Sequence, residues 1–476
     1  MPATVGPILY ARGSDADGCR LSALVATSEG KAPPALTVAG RVDVLPRRLA
    51  ELFGRTLWLY DFVLPADGKA AYTLGSRTFD VAADLTGDVR LAFVSCNGQE
   101  DGDGKRELGE RDAMWAKLSA EHEAAPFSLL LQGGDQLYAD EILQSHPETW
   151  RWFRLTMRRK GGVAFSGEMR QAARRYLAGR YLTLMAQPAI AHMVARVPSL
   201  MMWDDHDIID GWGSHPERML DSPVGKGIFE VAREMFALFQ LGSPADAPPA
   251  YCPDRTGRNY SLAARFPGFS VIAPDLRSER RPKIVMGETG WKAHEQALDE
   301  TPEGDRILLV SSVPALGPRL SLVELAIDWF PKAQKYEDDL RDQWQSRVHR
   351  AEWQRFLLGL ETRMVEHRSP VTLLSGEIHL ATRGEMTLRD GQVMHQFVAS
   401  GIAHPKPPRA YAMGLGALAR FGEAPLPGRP IRLKPLPGKL GTYTAERNYL
   451  VLTRAAGQWS AAWELEDSGR TAEIAA

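Results

Sequence analysis

The chain has 476 residues, 57 Lys+Arg against 59 Asp+Glu, 44% hydrophobic residues and three cysteines. The near-balance of charge excludes a general nucleic-acid binder, which carries a strong basic excess. Cys19, Cys96 and Cys252 are odd in number, far apart and free of any CxxC pair, so neither a disulfide framework nor a zinc ribbon is implied.

At roughly 150 residues per domain the length suggests about three domains, or one large domain with an appendage. The start, Met1-Pro2-Ala3-Thr4-Val5, has no basic region followed by an apolar one. The longest apolar runs, such as residues 307–310, are far shorter than the ~20 residues that span a bilayer. The expectation is a soluble cytoplasmic protein, or a periplasmic or secreted one if a signal was trimmed. No membrane or nucleic acid is expected as a partner, and the oligomeric state is left open.

Residues 7–85 read as short strands punctuated by Gly, Pro and Asp, which predicts a small N-terminal β-sandwich over 1–86. From Val89 onward, short apolar runs alternate with long amphipathic stretches. Helices are predicted over 111–122, 141–159, 168–186, 227–241 and 338–367. This alternation predicts layered α/β structure through 87–476. Residues 405–437 hold eight prolines in 33 positions and read as an extended loop. The tail, 447–465, reads as a β-hairpin turning at Ala455-Ala456-Gly457.

Ligand-type residues gather where the strand-like runs stop. Residues 89–94 run into Ser95-Cys96-Asn97, and 127–131 into Gln132-Gly133-Gly134-Asp135-Gln136-Leu137-Tyr138. Residues 197–203 run into Asp204-Asp205-His206-Asp207, and 371–374 into Ser375-Gly376-Glu377-Ile378-His379. Loops at the carboxyl ends of strands converge in α/β sheets, and these residues form a metal-binding vocabulary. Each piece alone has a plainer reading: a turn aspartate, a small buried cysteine, a core tyrosine or histidine. The run Asp204-Asp205-His206-Asp207 is more demanding, because its carboxylates repel one another unless a cation neutralises them.

Taken in order, Ser95-Cys96-Asn97, Gly134-Asp135-Gln136-Leu137-Tyr138, Trp203-Asp204-Asp205-His206-Asp207 and Ser375-Gly376-Glu377-Ile378-His379 resemble the successive motifs of the alkaline phosphatase D (PhoD-like) metallophosphatases. Lesser matches fall between and after them: Asp275-Leu276-Arg277-Ser278, Ser311-Ser312-Val313-Pro314 and Phe397-Val398-Ala399-Ser400-Gly401-Ile402. The resemblance covers about residues 89–465. It implies a two-sheet α/β/β/α sandwich of the calcineurin-like phosphoesterase type, preceded by the small β-sandwich. It also implies a binuclear or larger centre of Fe3+ and Ca2+, with other divalent metals as alternatives. On this resemblance Cys96, Asp135 and Tyr138 are iron ligands, and Asp135 bridges to calcium. Asp205 takes the place of the superfamily's metal-binding asparagine. His379 completes the centre beside Glu377, and His206 stands next to the substrate phosphate.

The chemistry agrees with that donor set. Thiolate, phenolate and carboxylate suit a trivalent iron, and hard carboxylate oxygens suit calcium. His206 and Asp205 are the expected catalytic pair, and Asn97, Arg277 and His206 the expected substrate contacts. The implied activity is hydrolysis of phosphomonoesters, extending to phosphodiesters, by a metal-activated hydroxide, with a small phosphate ester as partner. The alternatives are a phosphodiesterase or phospholipase-type hydrolase on the same centre, and a degenerate member that only binds a partner. One departure stands out. Glu377 replaces the usual Asp and displaces its carboxylate by ~1.5 Å. The acidic, Gly-rich run at 97–104 fails the calcium-loop pattern at Lys105 and reads as a solvated edge loop. The basic, aromatic stretch at 150–160 reads as a solvated helix face, or more sharply as a cationic wall.

Overall fold

The computed structural model describes residues 2–15, 17–38, 42–66, 70–318, 342–376 and 378–476. Two large sheets lie face to face with helices on their outer sides. The first has the order Gly469–Arg470, Gln458–Leu465, Asn448–Ala455, Val89–Val94, Leu129–Gly133, Ser199–Met202, Thr4–Asp15, Gly18–Ser28, Arg55–Leu64 and Arg47–Leu52. The second has the order Leu262–Phe266, Phe269–Ala273, Arg306–Ser311, Val371–Ser375, Val393–Val398, Thr382–Thr387, Arg429–Lys434 and Glu423–Leu426. The central strands of both sheets run parallel.

The strand period of two builds the layers. Leu91, Phe93, Leu129 and Leu131 point into the core between the sheets, where Leu308, Val310 and Leu374 meet them. Their alternates Ala92, Val94 and Leu130 face the first helical layer. Ile307, Leu309 and Leu373 face the second, which includes Phe356 and Leu360 of the helix Arg350–Val365. Being apolar on both faces, these strands read as continuous hydrophobic runs.

The N-terminal strands form two facing layers. Leu9, Leu21 and Val25 pack with Leu36, Tyr72 and Phe79 of a four-stranded sheet made of residues 36–38, 42–44, 70–74 and 77–81. One layer is nevertheless part of the first large sheet, because Thr4–Asp15 lies parallel to Ser199–Met202 with Tyr10 opposite Ser199. Ile8, Tyr10 and Leu24 share the outer core with the helices of the rest of the chain. Residue 86 therefore marks a change of topology, while sheet and core continue across it.

Most of the expected helices form, with shifted ends. Residues 168–186 appear as Gly167–Leu184, opened by Ser166, whose side chain accepts from the backbone N–H of Met169 at 3.1 Å. Residues 227–241 begin earlier, as Pro223–Phe236, because Ser222 caps and Pro223 suits the first turn. The expected 141–159 breaks into Asp140–Gln144, Pro147–Phe153 and Met157–Lys160, with Pro147 starting a new helix. Of 338–367, the helix is Arg350–Val365, preceded by a turn at Arg347–His349 that follows an extended Ser346; residues 338–341 lie outside the described residues.

The extended loop expected at 405–437 is corrected. It contains the helix Arg409–Ala419 and the antiparallel pair Glu423–Leu426 and Arg429–Lys434, which extends the second sheet. The prolines sit where they do no harm. Pro408 precedes the helix, and the outermost strand pair shifts register around Pro425.

Candidate metal centre

The parallel strands Val89–Val94, Leu129–Gly133, Ser199–Met202 and Val371–Ser375 all end at one place, and the chain turns sharply there. Cys96, Asp135 and His379 have φ of 54°, 54° and 52°. They are three of the six non-glycine residues with positive φ among the described residues, so backbone strain is concentrated at this site. Glycines let the strand ends close up. A Cβ on Gly134 would sit 2.8 Å from the Cβ of Asp204, and one on Gly376 would collide with Ser95. The Ser95 hydroxyl donates to the carbonyl of Ala399 at 3.0 Å, tying the two sheets together.

A cleft of about 330 Å³ opens over these ends, walled by Glu100, Asp135, Asp205, His206, Asp210 and His379, among others. Its donors fall into two groups. Asp135, Asp205 and His206 bring ligand atoms within 4.8 Å of one another, and so do Glu100, His379 and His404. Cys96 lies beneath, its Sγ 3.4 Å from Asp135 Oδ2 and 3.1 Å from the Ser400 hydroxyl. The Tyr138 ring stacks on His206 with centroids 4.3 Å apart, and His379 stacks on His404 at 3.4 Å.

The electrostatics follow from burial. Burial, then the neighbouring carboxylates Asp204, Asp205 and Asp207, push the Asp135 carboxyl well above its ordinary range, although His206 opposes the shift. Burial, with Cys96 and Asp135 nearby, pushes the Tyr138 phenol up as well. Burial disfavours a charged His206, but Asp140, Asp205 and Asp135 outweigh it and hold the imidazolium well above the usual histidine range. His206 Nδ1 pairs with Asp140 Oδ2 at 2.9 Å. Burial and His404 together push His379 well down.

Asp135 Oδ1, the Tyr138 hydroxyl and His379 Nδ1 are buried and have no hydrogen-bond partner among the described residues. Buried polar atoms are seldom left in that state, and each costs about 1–3 kcal/mol. Oxygen, sulfur and imidazole donors converge on one cleft with too little positive charge among them, so the residues present fit a cation centre.

Two of the expected substrate contacts are corrected. Arg277 is fully buried, its Nε on Asp204 and its two terminal nitrogens on Asp342 at 2.8 and 2.6 Å. Its guanidinium is consumed by protein carboxylates. Asn97 is also buried, accepting from the Trp115 indole at 2.8 Å, while its carbonyl accepts from Arg111 at 2.7 Å. Both residues hold the site from behind. The 97–104 run is not simply a solvated loop, because Asp103 is buried against Arg111 and Arg180, and Glu100 walls the cleft. Glu377 lies outside the described residues. Asp207 accepts from the N–H groups of Leu137 and Asp204 at 3.0 and 2.9 Å and stabilises the turn.

Glu100, Asp140 and His404 were not foreseen from sequence. His404 follows the end of the strand Val393–Val398, so the strand-end rule pointed there too. Asp140 is two residues beyond Tyr138. Glu100 had only the acidity of its loop as a signal.

A family model described as PhoD-related phosphatase matches residues 76–337. The uncharacterized protein YGR266W of Saccharomyces cerevisiae is 22% identical over 386 residues, spanning 63% of this chain, and the chain spans 55% of that relative's length. The solved structure of PhoD overlaps with a TM-score of 0.59 at 12% identity, covering 98% of this chain and 88% of its own, which is a likeness of fold. A dimetal phosphatase from Danio rerio overlaps with a TM-score of only 0.36 at 11% identity, covering 81% of this chain and 98% of its own. Among the described residues, no helix is long and apolar enough to cross a membrane. With more than half of its length matched by that one model, the chain belongs to the PhoD-related phosphatases.

Proposed function

We propose that this protein is a metal-dependent phosphoesterase that hydrolyses phosphomonoesters and extends to phosphodiesters. One observation carries the reading. Two groups of metal-type donors, Asp135/Asp205/His206 and Glu100/His379/His404, meet at a single cleft that all but His404 line, and buried donor atoms there lack partners among the described residues. Cys96, Asp135 and Tyr138 would hold iron, with Asp205, His379, Glu100 and His404 completing a centre that includes calcium. Bound metals would supply positive charge to a phosphate ester and lower the pKa of a water.

The chain's own residues supply the rest. Asp140 fixes Nδ1 of His206 and favours its protonated form, which leaves Nε2 as the nitrogen that donates a proton to the departing oxygen. Asp205 is steadied by the N–H of Gly211 at 2.7 Å. Arg277 keeps Asp204 in place behind it.

The test is metal analysis combined with hydrolysis of 4-nitrophenyl phosphate and bis(4-nitrophenyl) phosphate. Iron content, with a visible charge-transfer band lost in Tyr138→Phe, is expected. A colourless protein that is fully active with zinc alone overturns the iron assignment. Full hydrolysis in both Asp135→Ala and His206→Ala overturns the catalytic one.

A further inference from the structure

A second, smaller cavity of about 110 Å³ adjoins the metal cleft, and the two share Gln343, Ile378 and Tyr411 as walls. Beyond that shared wall the lining is mostly apolar, with Leu316, Leu415 and Tyr443 contributing. Tyr411 and Leu415 come from the helix Arg409–Ala419, so this element lies against both spaces. Gln345, only 4% exposed, also lines the smaller cavity. Its amide nitrogen donates to the carbonyls of Pro314 at 2.9 Å and Ala315 at 3.3 Å, which fixes which way the amide faces. The remaining atom, Oε1, is a buried acceptor with no partner among the described residues.

We infer that this cavity receives the ester arm of the substrate, and that the arm is a single ring bearing an O–H or N–H donor. The inference rests on the phosphoesterase reading above. The site is apolar apart from its glutamines, Thr382 and the hydroxyls of Tyr411 and Tyr443, which matches an organic group more than a second phosphate or a sugar. The size sets an upper limit. An apolar cavity of ~150 Å³ holds benzene, so a space of this size that adjoins a larger cleft takes about one ring and excludes a long acyl chain. The unpartnered oxygen of Gln345 asks for a donor from the ligand. A ring without one leaves that acceptor buried and unmet.

Three monoesters of simple primary alcohols test this on the full chain: ethyl, 2-phenylethyl and 2-(4-hydroxyphenyl)ethyl phosphate. The expected order of kcat/KM rises from ethyl to phenylethyl by at least about tenfold. It rises again, by about fivefold, with the added hydroxyl. Leu415→Trp, which fills the cavity, is expected to bring the first ratio to near one. Gln345→Met, which removes the acceptor and keeps the length, is expected to erase the second ratio and retain the first. Saturation-transfer NMR on free 2-(4-hydroxyphenyl)ethanol gives a second readout that needs no chemistry at the metals. Binding is expected in the parent chain and lost in Leu415→Trp. Phosphate release from all three esters at similar rates, without alcohol binding, overturns the subsite and leaves the phosphoesterase reading intact. Alcohol binding without phosphate release from any ester overturns the phosphoesterase reading, and with it the role of the cavity as an ester-arm site.

Discussion

Two groups of buried carboxylates lie side by side in this molecule and are neutralised in different ways. Asp204 and Asp342 surround Arg277, and Arg280 reaches Asp342 at 3.0 Å. Here the protein supplies its own cations. Burial would raise the Asp342 carboxyl, yet Arg277 and Arg280 hold it well below the usual range. Close by, Asp135 gathers with Tyr138 and Cys96, and burial with Asp204, Asp205 and Asp207 pushes its carboxyl up against the opposing charge of His206; Asp205 stands between the two groups, 3.4 Å from Arg277. The difference separates scaffold from site. Carboxylates answered by arginine fix a turn. A carboxylate that opens on the cleft with an oxygen unmet among the described residues, as Asp135 does, is placed for a cation that arrives from outside.

Breaking the second group has the largest effect on function. His206→Ala is expected to lower kcat/KM for aryl phosphates by about 10²–10⁴-fold, the range for loss of a positioned acid. A loss smaller than tenfold would remove His206 from proton transfer. Breaking the first group has the largest effect on folding. Arg277→Leu leaves Asp204 and Asp342 buried without their main partner, and about 3–5 kcal/mol of destabilisation is expected in urea titrations. If Arg277→Leu folds as stably as the parent but fails to turn over substrate, Arg277 belongs to the substrate after all.

How much of this was legible beforehand depends on direction more than on residue type. Cys96, Asp135, Tyr138, Asp205, His206 and His379 stood out because each follows a strand, and strand ends in a two-sheet sandwich converge. Arg277 and Asn97 were recognisable as polar residues near the same ends. Whether they face the cleft or the core depends on partners far along the chain, Asp342 and Trp115, which no local pattern reveals. His404 sits at a strand end as well, but it borders a proline-rich run whose composition masked it. That run hid the helix Arg409–Ala419, since proline counts say nothing about position, and prolines at helix starts or register shifts leave the elements intact. The junction at residue 86 was visible as a change of strand style. The sheet that continues across it rests on pairing between Thr4–Asp15 and Ser199–Met202, a contact remote in sequence.

Cation addition tests the comparison at a smaller scale. Chelated protein should gain about 2.7 kcal/mol when a metal is supplied at a hundredfold excess over its Kd. Asp135→Ala should lose that gain while Asp342→Asn keeps it. Equal gains in both variants would mean that the added metal binds elsewhere.

The smallest effect concerns pH. The Asp342 carboxyl is depressed in the folded chain, so its contribution to stability is present above the unfolded value of about 3.9 and is lost as pH falls toward the folded one. Asp342→Asn should therefore be less stable than the parent at pH 7, and the gap should narrow progressively below about pH 4, as the parent's own carboxylate starts to bind a proton in the unfolded chain. Asp135 gives the opposite sign in the chelated protein. Its carboxyl is raised, so folding favours the neutral form, and that contribution is present below the unfolded value and declines as pH rises. In chelated protein Asp135→Asn should then gain on the parent from pH 4 toward pH 7, where Asp342→Asn falls behind. Parallel pH curves for the two variants would show that one electrostatic environment covers both groups, and the separation of scaffold carboxylates from cation-binding ones would fail.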